Sequence, residues 1–300
     1  MEFAQIPNHS ATPELERLSD RIWRLIAPNA GPFTHTGTCT YLIGSNQLAL
    51  IDPGPDDPRH INAILRAIEG KKLQYILVTH THKDHSSAAS ALKHATGAKI
   101  FGCAPYAPSA DIAITGPGLD AAHDGNYTPD YILRDGEKIS LNTATVAALT
   151  TPGHTANHLC YALEEEKALF TGDHVMGWST TVIAPPDGSM RAYLNSLEQL
   201  RNRNDQIMWP GHGQPITCPQ RYLRAILHHR NSRAAAILRR LNAGDQSIET
   251  IVENIYGDIN PNLRRAAAMT VFAHLQDLVE RKLAGCEGPV APQSHYFSIS

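Results

Sequence analysis

Long apolar runs are missing from this 300-residue chain. None approaches the roughly 18 to 20 residues that a membrane-spanning helix requires, so no membrane association is expected. The opening Met1-Glu2-Phe3-Ala4-Gln5-Ile6-Pro7 also lacks the basic and apolar regions of a signal peptide, and a cytoplasmic protein is the expectation. Cysteine is sparse: five residues (Cys39, Cys103, Cys160, Cys218 and Cys286), widely spaced and without a CxxC, which argues against a disulfide framework and against a cysteine zinc site. An excess of one charge is absent as well. The 26 Lys+Arg against 29 Asp+Glu leave a formal −3, so binding to nucleic acid through bulk positive charge is excluded, although local patches are not. There is no GxSxG elbow and no P-loop, hence no sign of a serine nucleophile or a phosphate cradle. What remains is 42% apolar and long enough to bury a sizeable core in one large domain or two of ordinary size. Histidine is the exception, at sixteen residues.

From about residue 38 to 216, short β-rich runs alternate with helical stretches and turns, the pattern of a layered α/β or α+β domain. Strands are expected at Thr40 to Ile43, Leu48 to Asp52, Tyr75 to Thr79, Lys99 to Gly102, Lys138 to Leu141, Thr145 to Thr150, Leu159 to Leu163, Ala168 to Thr171 and Gln206 to Trp209. The Ala63-Ile64 and Ala67-Ile68 pairs inside His60 to Glu69 give the stripe of an amphipathic helix. Glu164 to Lys167 reads as a solvated hairpin turn, and Ala104 to Pro129 as a long surface loop that could border a site. After Pro219 the texture becomes helical, with helices expected at Arg221 to Leu241, Ser247 to Tyr256 and Leu263 to Leu283. The expected division is therefore a domain at 1–217, a small helical domain at 218–286, and a tail at 287–300, laid on the surface or disordered. The two domains differ in sign of charge, −6 and +4.

The chemistry gathers after one strand. Tyr75-Ile76-Leu77-Val78-Thr79 runs into His80-Thr81-His82-Lys83-Asp84-His85, placing four imidazole or carboxylate groups on one turn. Such crowding is tolerable where a divalent metal compensates it, because neutral imidazole and carboxylate are good ligands for zinc and similar ions. That turn cannot fill two coordination spheres, so further ligands must come from other turns. Thr151-Pro152-Gly153-His154-Thr155, Thr171-Gly172-Asp173-His174 and Pro210-Gly211-His212-Gly213 each end an expected strand and supply them. A lone histidine is ordinarily a hydrogen-bonding surface residue, and His9, His35, His60, His94, His123, His228, His229, His274 and His295 are read that way. His158 and His174 are intermediate.

HxHxDH, a TPGHT histidine, a GD aspartate and a PGHG histidine together resemble the metallo-β-lactamase superfamily. The resemblance implies an αββα sandwich with a dinuclear metal centre at one edge of the two sheets. It places His80, His82 and His154 on a first metal, Asp84, His85 and His212 on a second, and Asp173 between them. His158, in HTANH, looks like the histidine of the family's HTxGH, orienting a ligand or meeting substrate, with a packed core role as the alternative. One branch is more similar still: the β-lactamase-like-2 hydrolases with a C-terminal winged-helix-like domain. Gly37-Thr38-Cys39-Thr40-Tyr41-Leu42, Ser179-Thr180-Thr181, Tyr193-Leu194-Asn195-Ser196-Leu197 and His228-His229-Arg230-Asn231 carry that similarity, which spans about residues 20 to 286. Two positions depart from it: Cys39 stands where the branch has Asn, and Ser87-Ala88 stands where Gly-Gly often follows. Cys39 is read as a packed apolar residue.

The resemblance implies a hydrolase with two divalent ions, zinc being the first expectation, and a metal-bound hydroxide as nucleophile. Asp84 is expected both to ligate and to accept a proton. Because the branch includes endoribonucleases, phosphodiester hydrolysis of single-stranded RNA is one implied activity; Arg221, Arg224, Arg230, Arg233, Arg239 and Arg240 on the long helix are its candidate contacts, although they do not fall on one stripe and are read first as a solvated face serving solubility and interdomain pairs. The alternative is a glyoxalase-II-like thioesterase, or another small-molecule ester or lactone hydrolase. A non-catalytic, metal-stabilised binding protein is the third reading, and it would have no need of all seven ligands.

Overall fold

The computed structural model describes residues 13–107, 122–257 and 259–299. Seven strands form the first sheet, in the order β1 (Glu16–Arg17), β2 (Ile22–Ile26), β3 (Cys39–Gly44), β4 (Gln47–Ile51), β5 (Lys72–Val78), β6 (Lys99–Gly102) and β7 (Tyr131–Ile132). Its first four strands are antiparallel and the last four parallel; the helical crossover α1 (Pro58–Ala67) separates β4 from β5, and α2 (Lys83–Ser86) with α3 (Ala89–Thr96) separates β5 from β6. The second sheet runs β12 (Ile207–Pro210), β11 (Ala168–Gly172), β10 (Leu159–Leu163), β9 (Thr145–Thr150), β8 (Lys138–Ser140), with β12 alone parallel to its neighbour. All nine expected strands and the α1 helix are present within a residue or three. Strands β1, β2 and β7 and the helix α4 (Met190–Arg201) were not foreseen.

The period of two along each strand explains the layering. In the second sheet Val146, Ala148, Leu159, Tyr161, Leu163, Phe170 and Trp209 face the first sheet and join one core with Tyr41, Ile43, Ile51 and Leu77, which share one face of it. Their alternates Ala147, Cys160, Ala162, Leu169 and Met208 face outward, against Met190, Tyr193 and Leu197 of α4 and Leu223, Ile226 and Leu227 of α5 (Pro219–Asn242). Helices α1 and α3 cover the far side of the first sheet through Ala63, Ile64 and Leu92. The result is the expected αββα sandwich. Helix ends are set locally: Asp57 caps α1 through the Arg59 amide with Pro58 in its first turn, and Ser189 caps α4 through the Ala192 amide.

Past Arg230 the same long helix enters a third core, where Ile237 and Leu241 pack with α6 (Ile248–Tyr256) and α7 (Arg264–Glu280). A short hairpin, β13 (Ala284–Cys286) with β14 (Tyr296–Ser298), completes this winged-helix unit. The segment expected as a tail is therefore corrected. Tyr296 is fully buried and its hydroxyl donates to the Ala291 carbonyl at 2.7 Å. A three-residue strand is too short to show a period, and a single aromatic anchors it.

Candidate metal centre

All the candidate ligands leave the sandwich at one edge, beyond the ends of β5, β9, β11 and β12. The two sheets are tied there by the Leu159 amide donating to the Thr79 carbonyl at 2.8 Å and by the Cys39 amide donating to Gly211 at 2.8 Å. The HxHxDH turn starts where β5 stops, and α2 turns Asp84 and His85 back toward the second sheet.

Two groups form there. His80, His82, His154 and Asp173 make one, and Asp84, His85 and His212 the other, with the donor atoms of each within 4.8 Å of one another. In the first group His82 Nδ1 lies 3.0 Å from His80 Nε2 and 3.1 Å from His154 Nε2. In the second, His212 Nε2 lies 3.2 Å from both His85 Nε2 and Asp84 Oδ2. Asp173 stands between the groups: Oδ1 is 3.4 Å from His85 Nε2 and 3.3 Å from His212 Nε2, while Oδ2 is 3.7 Å from His154 Nε2.

These residues fit a pair of divalent ions. Donors about 2.0 to 2.1 Å from a shared tetrahedral ion stand roughly 3.3 Å apart, which is the spacing seen. Asp173 Oδ1 is buried without a hydrogen-bond partner, and an orphaned carboxylate oxygen is costly unless a cation satisfies it.

Supporting hydrogen bonds select which ring nitrogen faces inward. Asp52 Oδ2 accepts from His85 Nδ1 at 2.8 Å and from the Thr79 hydroxyl at 2.9 Å, while Oδ1 accepts from the Thr79 amide at 2.8 Å. With its proton given to Asp52, the Thr79 oxygen accepts from His80 Nδ1 at 2.9 Å. His154 Nδ1 donates to the Val182 carbonyl at 2.8 Å and His212 Nδ1 to the Gly37 carbonyl at 3.2 Å. Each leaves an Nε2 lone pair pointing into the centre. The Thr38 hydroxyl, itself held by Asn29, donates to Asp84 Oδ2 at 3.0 Å. Gly211 is required by close approach: a Cβ there would lie 2.7 Å from both Asp173 Oδ1 and His85 Cε1.

Electrostatics divide the histidines. Burial, reinforced by neighbouring imidazoles, pushes His80 and His82 well below their ordinary range. Burial also opposes a charge on His212 and His85, but Asp173 and Asp84 outweigh it, taking His212 up to about 10 and His85 well above its usual value. Burial pushes Asp84 and Asp173 up, and the His85 and His212 charges overcome it to hold both carboxyls well below theirs. Metal entering the second group must therefore displace protons.

Several histidines sit elsewhere than expected. His60 and His274 are buried, not surface residues, and burial lowers them to about 4 and about 3. His123 is buried too, its ring 4.7 Å from that of His82 and stacked on Tyr106 at 3.7 Å. His158 lies behind His80, rings 5.1 Å apart, with Nδ1 on the Thr151 hydroxyl, and is a buried residue packed under that ring. Cys39 is buried, and burial raises its thiol. The supporting Asp52 was missed, although its Asp-Pro-Gly after a strand follows the same turn grammar as the candidate ligands. The expected loop lies partly outside the described residues, at 108–121, as does His9. Its described ends border the centre, where Asn157 donates to the Ala104 carbonyl at 2.7 Å.

Paired imidazole and carboxylate clusters at the edge of an αββα sandwich define a metal-dependent hydrolase. Sequence comparison agrees: residues 34–212 match the Metallo-beta-lactamase superfamily and residues 247–288 the Beta-lactamase associated winged helix domain, and the chain belongs to that superfamily. It is similar to the beta-lactamase-like protein 2 homolog of Caenorhabditis elegans, 30% identical over 97% of this chain and 92% of that one. It is also similar to an atrochrysone carboxyl ACP thioesterase of Aspergillus chevalieri, 32% identical over 85% of this chain and 79% of that one. A beta-lactamase domain protein from Burkholderia ambifaria has the same fold, with a TM-score of 0.80 at 19% identity, covering 98% and 97% of the two chains. Among the described residues no helix is long and apolar enough to cross a membrane.

Proposed function

We propose that this hydrolase cleaves small thioesters, of the acyl-carrier or coenzyme A type, with two zinc ions. His80, His82 and His154 would hold the first ion, Asp84, His85 and His212 the second, and Asp173 would bridge them. Residues 1–217 carry this chemistry, and the helical unit at 218–286 buttresses it. The observation that carries the substrate class is the similarity, over most of the chain, to a relative named as an ACP thioesterase. The imidazole and carboxylate donor set favours zinc.

The long-helix arginines support the same choice over single-stranded RNA. Arg230 is buried and donates to the Thr181 carbonyl, Arg233 lies over the Tyr256 ring at 4.2 Å, and Arg240 is paired with Asp245. Half of the cationic track is thus engaged by partners within the protein.

When bound, the ions would lower the pKa of water and polarise the thioester carbonyl. The chain's own part is positioning and proton transfer. Asp84 is the carboxylate open to substrate, its side chain 28% exposed against 11% for Asp173 and 2% for Asp52. Held by Thr38, it accepts the proton of the attacking water and returns it to the departing sulfur as the C–S bond breaks.

The test is a zinc-loaded preparation offered acyl-carrier-protein, acyl-CoA and acyl-glutathione thioesters beside unstructured RNA. Thioester turnover that disappears in His82→Ala is the expected result. RNA cleavage with the thioesters left intact would sink the proposal.

A further inference from the structure

Arg230 is the one arginine of the long helix buried to 2% exposure, and among the described residues it has no carboxylate partner. A guanidinium taken out of water without a counter-charge is costly, so its placement demands a return. Its hydrogen bond runs to the main-chain carbonyl of Thr181. The next carbonyl, that of Val182, accepts from His154 Nδ1. The Thr181 hydroxyl in turn reaches the carbonyls of Asp173 at 2.8 Å and His174 at 3.1 Å. The short segment around Thr181 and Val182 therefore holds the first-group histidine by its outer nitrogen and the bridging aspartate by its backbone.

The same guanidinium bears on the backbone before His154 by a second route. It lies over the Tyr193 ring, 5.2 Å from its centroid, and Tyr193 is packed so closely on Gly153 that a Cβ there would stand 2.4 Å from the tyrosine Cα. Gly153 directly precedes His154 and is further fixed by the Ser189 amide donating to its carbonyl at 2.9 Å.

We infer that Arg230 is a positioning residue of the metal centre: through Thr181 and Val182 it sets the tautomer and orientation of His154. The helix leading into the winged-helix unit is by this route a structural part of the first metal group. The inference rests on the proposed ligand role of His154.

Site-by-site metal affinity, read with a competing chromophoric chelator, and the visible spectrum of the cobalt-loaded protein test it on the full chain. Arg230→Met should weaken the ion in the first group about 10- to 100-fold, alter the cobalt spectrum, and leave the second group at parental affinity. Arg230→Lys, which keeps a donor for the Thr181 carbonyl, should restore affinity to within about threefold of the parent. Parental first-group affinity in folded Arg230→Met overturns the inference, as does an equal loss at both groups, which would mean general loosening. Failure of the lysine to rescue also overturns it. Should Arg230→Met not fold, Arg230→Gln, whose amide falls short of the carbonyl, takes its place with the same outcomes. His154→Ala in the same titration separates the two levels: two ions still bound per chain would refute the ligand role itself.

Discussion

Replacing Asp52 by Asn changes one atom and should disturb both metal groups. The Thr79 amide is a fixed donor to Oδ1, so the new side chain must keep its oxygen there and put its NH2 where Oδ2 was. That position receives two protons in the parent, from His85 Nδ1 and from the Thr79 hydroxyl. An NH2 group cannot accept either. Thr79 must turn to accept from the amide and donate to His80 Nδ1, and His85 must present its own Nδ1 as an acceptor. Both rings then carry their proton on Nε2, the atom that faces the centre in each case. Loss of such a support ordinarily costs 10- to 100-fold in metal affinity, about 1.4 to 2.7 kcal/mol, and here it falls once on each group. If the rings do not flip, a buried donor is left facing a donor at about 1 to 3 kcal/mol, a cost of the same order. Chelator competition on the purified variant should show both ions weakened. Thr79→Val, which removes the link to His80 and one of the two protons on Asp52 Oδ2 but leaves His85 Nδ1 on that oxygen, should weaken the first group more than the second. Asp52→Asn with two ions at parental affinity, or with a single group affected, would refute the tautomer argument.

Other substitutions probe the remaining parts. Gly211→Ala would drive a methyl into Asp173 Oδ1 and His85 Cε1, so we expect a folded protein that holds fewer than two ions per chain by elemental analysis. Tyr296→Ala should lower the unfolding free energy in urea by about 3 to 5 kcal/mol, as for other buried aromatics; a change under 1 kcal/mol would restore the view of residues 287–300 as an unattached tail. His274 is held neutral by burial, at about 3 in the folded chain against an ordinary 6.5, so the unfolded chain binds the extra proton between those values. Stability from this residue is therefore present above pH 6.5 and lost as pH falls, by about 2 kcal/mol between pH 6.5 and 4.5. His274→Leu should flatten the pH dependence of the urea midpoint over that interval, and an unchanged slope would show that the ring is protonated when folded.

The local pattern carried much of this protein. Short β-rich runs marked the strands, a cluster after one of them singled out His80, His82, Asp84 and His85, and Gly-marked turns after others singled out His154, Asp173 and His212. Those signals are short-range, so a linear reading can recover them. Elements whose stability comes from distant partners were not legible: β2 is defined by pairing with β3, and β14 by one buried tyrosine. Nor did the sequence tell buried from surface histidines, because His60, His123 and His274 sit in ordinary local contexts and are enclosed by chain far away. The sequence by itself determined which groups could bind metal. Only the tertiary structure decided that Asp52 sets two tautomers and that a helix arginine supports His154. Each of these is a matter of which atom of a side chain meets which partner across the fold, and that direction is fixed by packing among segments remote in the chain.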